Sequence, residues 1–75
     1  MTREKYSLII NVGDDGQTVE LDDGSTWSVS IGDHPRSICW YPTQRIVVEK
    51  GDDPSYPYRL RNLDTLGDVV RAKRA

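Results

Sequence analysis

Phenylalanine is absent from this chain, and cysteine and histidine occur once each. A lone Cys39 cannot close an intramolecular disulfide or supply a cysteine-based zinc site. A lone His34 removes most metalloenzyme and triad constellations. Without Phe, an aromatic core has to come from Trp27, Trp40 and some of the four tyrosines. No apolar run approaches the roughly 20 residues of a membrane-spanning helix, so no span is expected. The opening Met1-Thr2-Arg3-Glu4-Lys5 leads into an apolar stretch, Tyr6 to Val12. That stretch is too short and too β-branched for a secretory signal, and no small-residue cleavage site follows it. A cytoplasmic location is therefore expected. What is present is 75 residues, 36% hydrophobic and 29% charged. That describes one small domain, residues 1–75, which buries only about 60% of its unfolded surface and has a thin core.

The net charge of −2 conceals a division. Residues 1–55 hold five cations against ten acids, or −5, and residues 56–75 hold five cations against two acids, or +3. A basic terminal segment on an acidic body points to an anionic partner. The alternative is neutralisation between neighbouring strands of opposite sign.

Strand signals dominate the chain. Lys5 to Val12 is rich in β-formers and ends at the turn Gly13-Asp14-Asp15-Gly16. Thr18 to Leu21 alternates, and Asp22-Asp23-Gly24 ends it. Thr26 to Ile31 alternates, with Trp27, Val29 and Ile31 inward. Gln44 to Lys50 carries Ile46-Val47-Val48, and Gly51-Asp52-Asp53-Pro54 is the next turn. Tyr56 to Leu63 and Asp68 to Arg74 form a last hairpin around Asp64-Thr65-Leu66-Gly67. No window sustains a helical period.

Parity fixes one register. Val19 and Leu21 must share a face with Trp27 and Val29, and directly opposed residues share a face. A two-residue turn is thereby excluded. A three-residue loop, Asp22-Asp23-Gly24, fits if Gly24 is left-handed in a G1 bulge, which opposes Val19 to Trp27.

Gly32 to Thr43 breaks the pattern. Asp33-His34-Pro35 reads as a helix start, with a cap residue and a proline near the first helical position. A single helical turn over residues 34–39 is expected before Trp40-Tyr41-Pro42 redirects the chain. Five or six short strands with one helical turn indicate an all-β antiparallel barrel, since closure leaves few open edges. An SH3-like topology is the expectation, with an OB-like barrel as the alternative.

Three acidic pairs, Asp14-Asp15, Asp22-Asp23 and Asp52-Asp53, stand at turns. None matches a calcium-binding loop, and turn chemistry explains them. No metal or cofactor is expected. Cys39 adjoins Ile38 and Trp40, which reads as a small buried hydrophobe rather than a nucleophile paired with His34. His34 reads as an exposed loop residue. No phosphate-cradling loop is present. With no workable acid, base and nucleophile in proximity, an enzyme is not expected.

The candidate sites are therefore binding surfaces. Tyr41 and Tyr56, each beside a proline, are rim aromatics suited to a peptide groove, or else they pack over the barrel ends. If Leu60, Val70 and Ala72 point inward, then Arg59, Arg61, Arg71 and Lys73 share one outer face. Four cations there need compensation, from Glu20, Glu49 or Asp68 or from an external anion. Asn62 falls on the inner face, where it would hold a turn through backbone hydrogen bonds.

The arrangement Leu21-Asp22-Asp23-Gly24-Ser25-Thr26-Trp27, then Trp40-Tyr41-Pro42, then Ile46-Val47-Val48, then Tyr58-Arg59-Leu60-Arg61-Asn62 resembles a set of small uncharacterised bacterial proteins. Their pattern is DGS-x-W … W-x-P … L-x-N on a single β-barrel. The resemblance covers residues 19–72 and implies a compact barrel, with no ligand or activity to carry over. Together these readings favour a non-enzymatic interaction module, binding a partner protein or itself. The alternative is RNA binding through the basic hairpin.

Overall fold

The computed structural model describes residues 5–75. The expectation of a missing secretory signal rests partly on residues 1–4, which lie outside the described residues. Six strands form, β1 (Ser7–Gly13), β2 (Thr18–Leu21), β3 (Thr26–Val29), β4 (Arg45–Lys50), β5 (Tyr58–Asn62) and β6 (Asp68–Arg74). They close into an antiparallel barrel in the order β1-β2-β3-β6-β5-β4, with β4 returning to β1. The chain thus makes two three-stranded meanders, β1-β2-β3 and β4-β5-β6, joined along the β3–β6 and β1–β4 seams. The second seam is short, with Ser7 opposite Ile46 and Leu8 opposite Arg45.

Alternation explains the interior. Ile9, Val19, Leu21, Trp27, Val29, Ile46, Leu60, Val70 and Ala72 pack in one cluster with Trp40, and Tyr58 packs against it. Tyr58 meets Trp27 edge to face, ring centroids 5.2 Å apart. The indole N–H of Trp27 donates to Ser25 Oγ at 2.8 Å. Trp40 is buried as well, but its indole Nε1 has no hydrogen-bond partner among the described residues.

The parity argument holds. Val19 lies opposite Trp27, Gly24 has φ +90°, and the Gly24 N–H donates to Leu21 O at 3.1 Å. Asp23 fastens the loop by accepting from the backbone N–H and the hydroxyl of Ser25. Asn62 is fully buried. Its side-chain oxygen accepts from Asp64 N at 2.8 Å, and its amide donates to Gln44 Oε1 at 3.0 Å. It holds the β5–β6 turn, as its inward position implied.

The segment between β3 and β4 departs from expectation. β3 ends at Val29, Ser30 is buried, and Ile31 is 80% exposed rather than inward. Two adjacent residues, Val29 and Ser30, are both buried, so the strand's two-residue period has already stopped there. A 3₁₀ turn, Ile31–Asp33, leads into one α-helical turn, α1 (His34–Ser37). Cys39 and Ile38 lie at the surface, so Cys39 is not a buried hydrophobe. Nor is His34 an exposed loop residue: it is half-buried, and its Nε2 donates to Val29 O at 2.9 Å.

Candidate functional site

Because β3 pairs with β6 only over Trp27 to Val29, the N-terminal part of β6 extends past β3 as an unpaired edge. The segment after β3 covers that edge with single groups instead of a strand. Ser30 N donates to Arg71 O at 2.8 Å. Asp33 Oδ2 accepts from Arg71 N at 2.9 Å and from Arg71 Nε at 3.2 Å. Asp33 Oδ1 accepts from Arg36, whose other reach is to Val69 O. Asp33 precedes α1 as expected of a cap, yet its side chain caps nothing and serves β6 instead. On its other side α1 is seated on the β1–β2 turn, where Ser37 Oγ donates to Gly16 O at 2.6 Å. A Cβ at Gly16 would stand 2.7 Å from His34 O.

Strand direction then sorts the connections. β1, β3 and β5 finish at one end of the barrel, so the links β1–β2, β3–β4 and β5–β6 all lie there. The links β2–β3 and β4–β5 lie at the other end. Four large apolar side chains stand exposed on the first set: Ile31, Ile38, Tyr41 at 67% and Leu66 fully. The second set carries Asp22, Asp23, Asp52 and Asp53, and among the described residues at that end Tyr6, just before β1, is the exposed large hydrophobic. Backbone strain follows the same division. Asp15, Thr43 and Leu66 are the non-glycine residues at positive φ among those described, one in each connection of the apolar end. At the other end the left-handed position belongs to Gly24.

The residues singled out from sequence distribute as follows. Tyr41 precedes β4 and Tyr56 precedes β5, so six residues of strand, about 20 Å, separate their levels and they do not share a groove. Tyr41 belongs to the apolar end. Tyr56 is half-buried, with the Lys73 ammonium 5.6 Å from its ring centroid. Arg59 and Arg71 face each other across β5–β6, and Arg61 and Lys73 share that outer surface. The surface is largely neutralised from within. Arg61 pairs with Glu49 at 3.1 Å, and Arg71 pairs with Asp33 at 3.2 Å and Asp53 at 3.4 Å. Glu49 was foreseen as a compensator, whereas Asp33 and Asp53 were not.

His34 and Cys39 form no pair, since the imidazole is held by Val29 O and the thiol donates to Pro35 O at 3.8 Å. Among the described residues no group of His, Cys, Asp or Glu is placed to hold a metal ion, and no helix is long and apolar enough to cross a membrane. Sequence reasoning missed Ile31, Ile38 and Leu66. Their signal was apolar character inside a turn-rich connection. No family model, curated protein or solved structure matches this chain.

Proposed function

We propose that this barrel is a non-enzymatic protein-interaction module that docks through its apolar end. The carrying observation is that Ile31, Ile38, Tyr41 and Leu66 stand exposed on connections that share one end. Exposed large apolar side chains on neighbouring connections are the usual material of a contact surface. The positive φ values at Asp15, Thr43 and Leu66 support the same reading, because strain held in connections clusters at binding sites. Use as an SH3-like module, in the cytoplasm of a bacterium, fits this picture. The exposed unpaired thiol of Cys39 suits a reducing compartment.

The test is affinity capture with the wild type and an Ile31→Ser, Leu66→Asn double variant. Both positions face solvent, so the variant should melt like the wild type. A partner retained by the wild type and lost by the variant supports docking at this end. Equal capture by both overturns it, as does capture of nothing together with a monomer by light scattering at every concentration. The RNA alternative is left with Arg59 and Lys73 as cations outside ion pairs on this surface. Absence of binding to a random oligonucleotide at about 50 mM salt would remove it.

A further inference from the structure

The acidic end holds a second arrangement, independent of the apolar end. Arg59 lies directly opposite Arg71, and like charges opposed across a strand pair repel. Arg71 is compensated by Asp33 and Asp53. Arg59 also faces Glu49 across β4–β5, but Glu49 Oε2 is engaged by Arg61. The Arg59 side chain is exposed and has no hydrogen bond or ion pair among the described residues. Its stem is nevertheless located, because a Cβ at Gly51 would come within 3.1 Å of Arg59 Cγ. Arg59 and Arg71 line a cleft of about 500 Å³ completed by Asp52, Asp53 and Pro54. Within it Asp53 is committed, Oδ1 accepting from Ser55 N and Oδ2 facing Arg71. Asp52 is exposed and makes no ion pair with Arg59.

We propose that this cleft anchors a carboxylate side chain from an acidic segment of a partner protein. Arg59 is the binding group, since its planar guanidinium matches a carboxylate with two parallel hydrogen bonds. Arg71, fixed by Asp33 and Asp53, forms the rear wall. Asp52 sets an upper limit on affinity by repelling the incoming charge. Pairing within the surface, by Glu49 as well as by Asp33 and Asp53, selects against nucleic acid. A phosphate backbone needs a row of free cations, and here the neighbours Arg61 and Arg71 are already paired.

The experiment is fluorescence anisotropy with a fluorescein-labelled hexaglutamate peptide at low salt, with a labelled thymidine decamer in parallel. The proteins are the wild type, Arg59→Met, Asp52→Asn and Glu20→Gln. The last removes one exposed acid elsewhere, so it controls for net charge. The wild type should bind the peptide, Arg59→Met should weaken binding about tenfold or more, and Asp52→Asn should tighten it more than Glu20→Gln. Arg59→Met should melt no lower than the wild type, because an opposed like charge has been removed. No detectable peptide binding, equal binding by Arg59→Met, equal tightening by Asp52→Asn and Glu20→Gln, or tighter binding of the decamer would each overturn the proposal. Docking at the apolar end is unaffected by any of these results.

Discussion

One carboxylate oxygen of Asp33 accepts two hydrogen bonds from Arg71, from the backbone N–H at 2.9 Å and from the guanidinium Nε at 3.2 Å. The first is a bond that a neighbouring strand would have supplied. The second neutralises a cation on the outer surface. One side chain therefore closes a sheet edge and settles a charge.

Truncating Asp33 leaves the Arg71 N–H without its partner and removes a buried, charge-assisted contact. Asp33→Ala should lower unfolding free energy by about 2–4 kcal/mol in a urea titration. Asp33→Asn keeps an acceptor oxygen and should lose roughly half as much. Equal losses would mean that charge, rather than the edge bond, carries the effect.

Two of the three left-handed glycines, Gly24 and Gly16, differ in surroundings. Gly24 is left-handed, but a Cβ there meets nothing within 4 Å. Gly24→Ala should cost about 1–2 kcal/mol through backbone strain alone, and a β-branched Gly24→Val should cost more. Gly16 is left-handed too, and its Cβ would press on His34 O, Ile38 N and Ser37 Oγ within 2.8 Å. Gly16→Ala should therefore melt well below Gly24→Ala in calorimetry.

The buried tryptophans should also separate. Trp27→Phe loses the bond to Ser25 Oγ and weakens the contact with the Arg74 guanidinium, now 5.1 Å from the ring centroid. Trp40→Phe removes an indole N–H that has no acceptor among the described residues. The first should destabilise by about 2–3 kcal/mol and the second by less than about 1.5 kcal/mol. Equal losses by denaturant titration would contradict this assignment.

Acid sensitivity has two named sources. The Ser25 hydroxyl, followed by its backbone N–H, holds Asp23 below its ordinary 3.8. The Arg45 guanidinium and backbone N–H hold Asp64 below the same value. A carboxyl depressed in the folded state contributes stability above its unfolded pKa and loses it as pH falls through the folded one. An Asp23→Asn, Asp64→Asn variant should thus be less stable than the wild type at neutral pH. The gap should narrow below about pH 4. A constant gap down to about pH 2 would count against both assignments.

Much of the barrel was legible because inside–outside parity is arithmetic. Val19, Trp27 and Gly24 fix their register among themselves, and Asn62 falls inward from its spacing to Leu60. Parity does not announce where it stops, which is why Ile31 was placed inside. The exposure of Cys39 was hidden because apolar neighbours in sequence do not set which way a one-turn helix faces. The Asp33–Arg71 bonds join residues 38 positions apart, beyond any local pattern. The apolar end was invisible for a different reason. Ile31, Ile38, Tyr41 and Leu66 share it only once strand direction is known.

The two seams have a kinetic meaning. Each meander is made of neighbours in sequence and forms by local closure. The seams instead join Ser7 to Ile46 and Val29 to Ala72, enclosing roughly 40 residues in each case. That loop entropy is lost before seam bonds repay it, so the halves are expected to form first and the barrel to close last. Trp27 belongs to one half and Tyr58 to the other. In a Trp40→Phe background, the emission of Trp27 would report the moment at which the two halves meet.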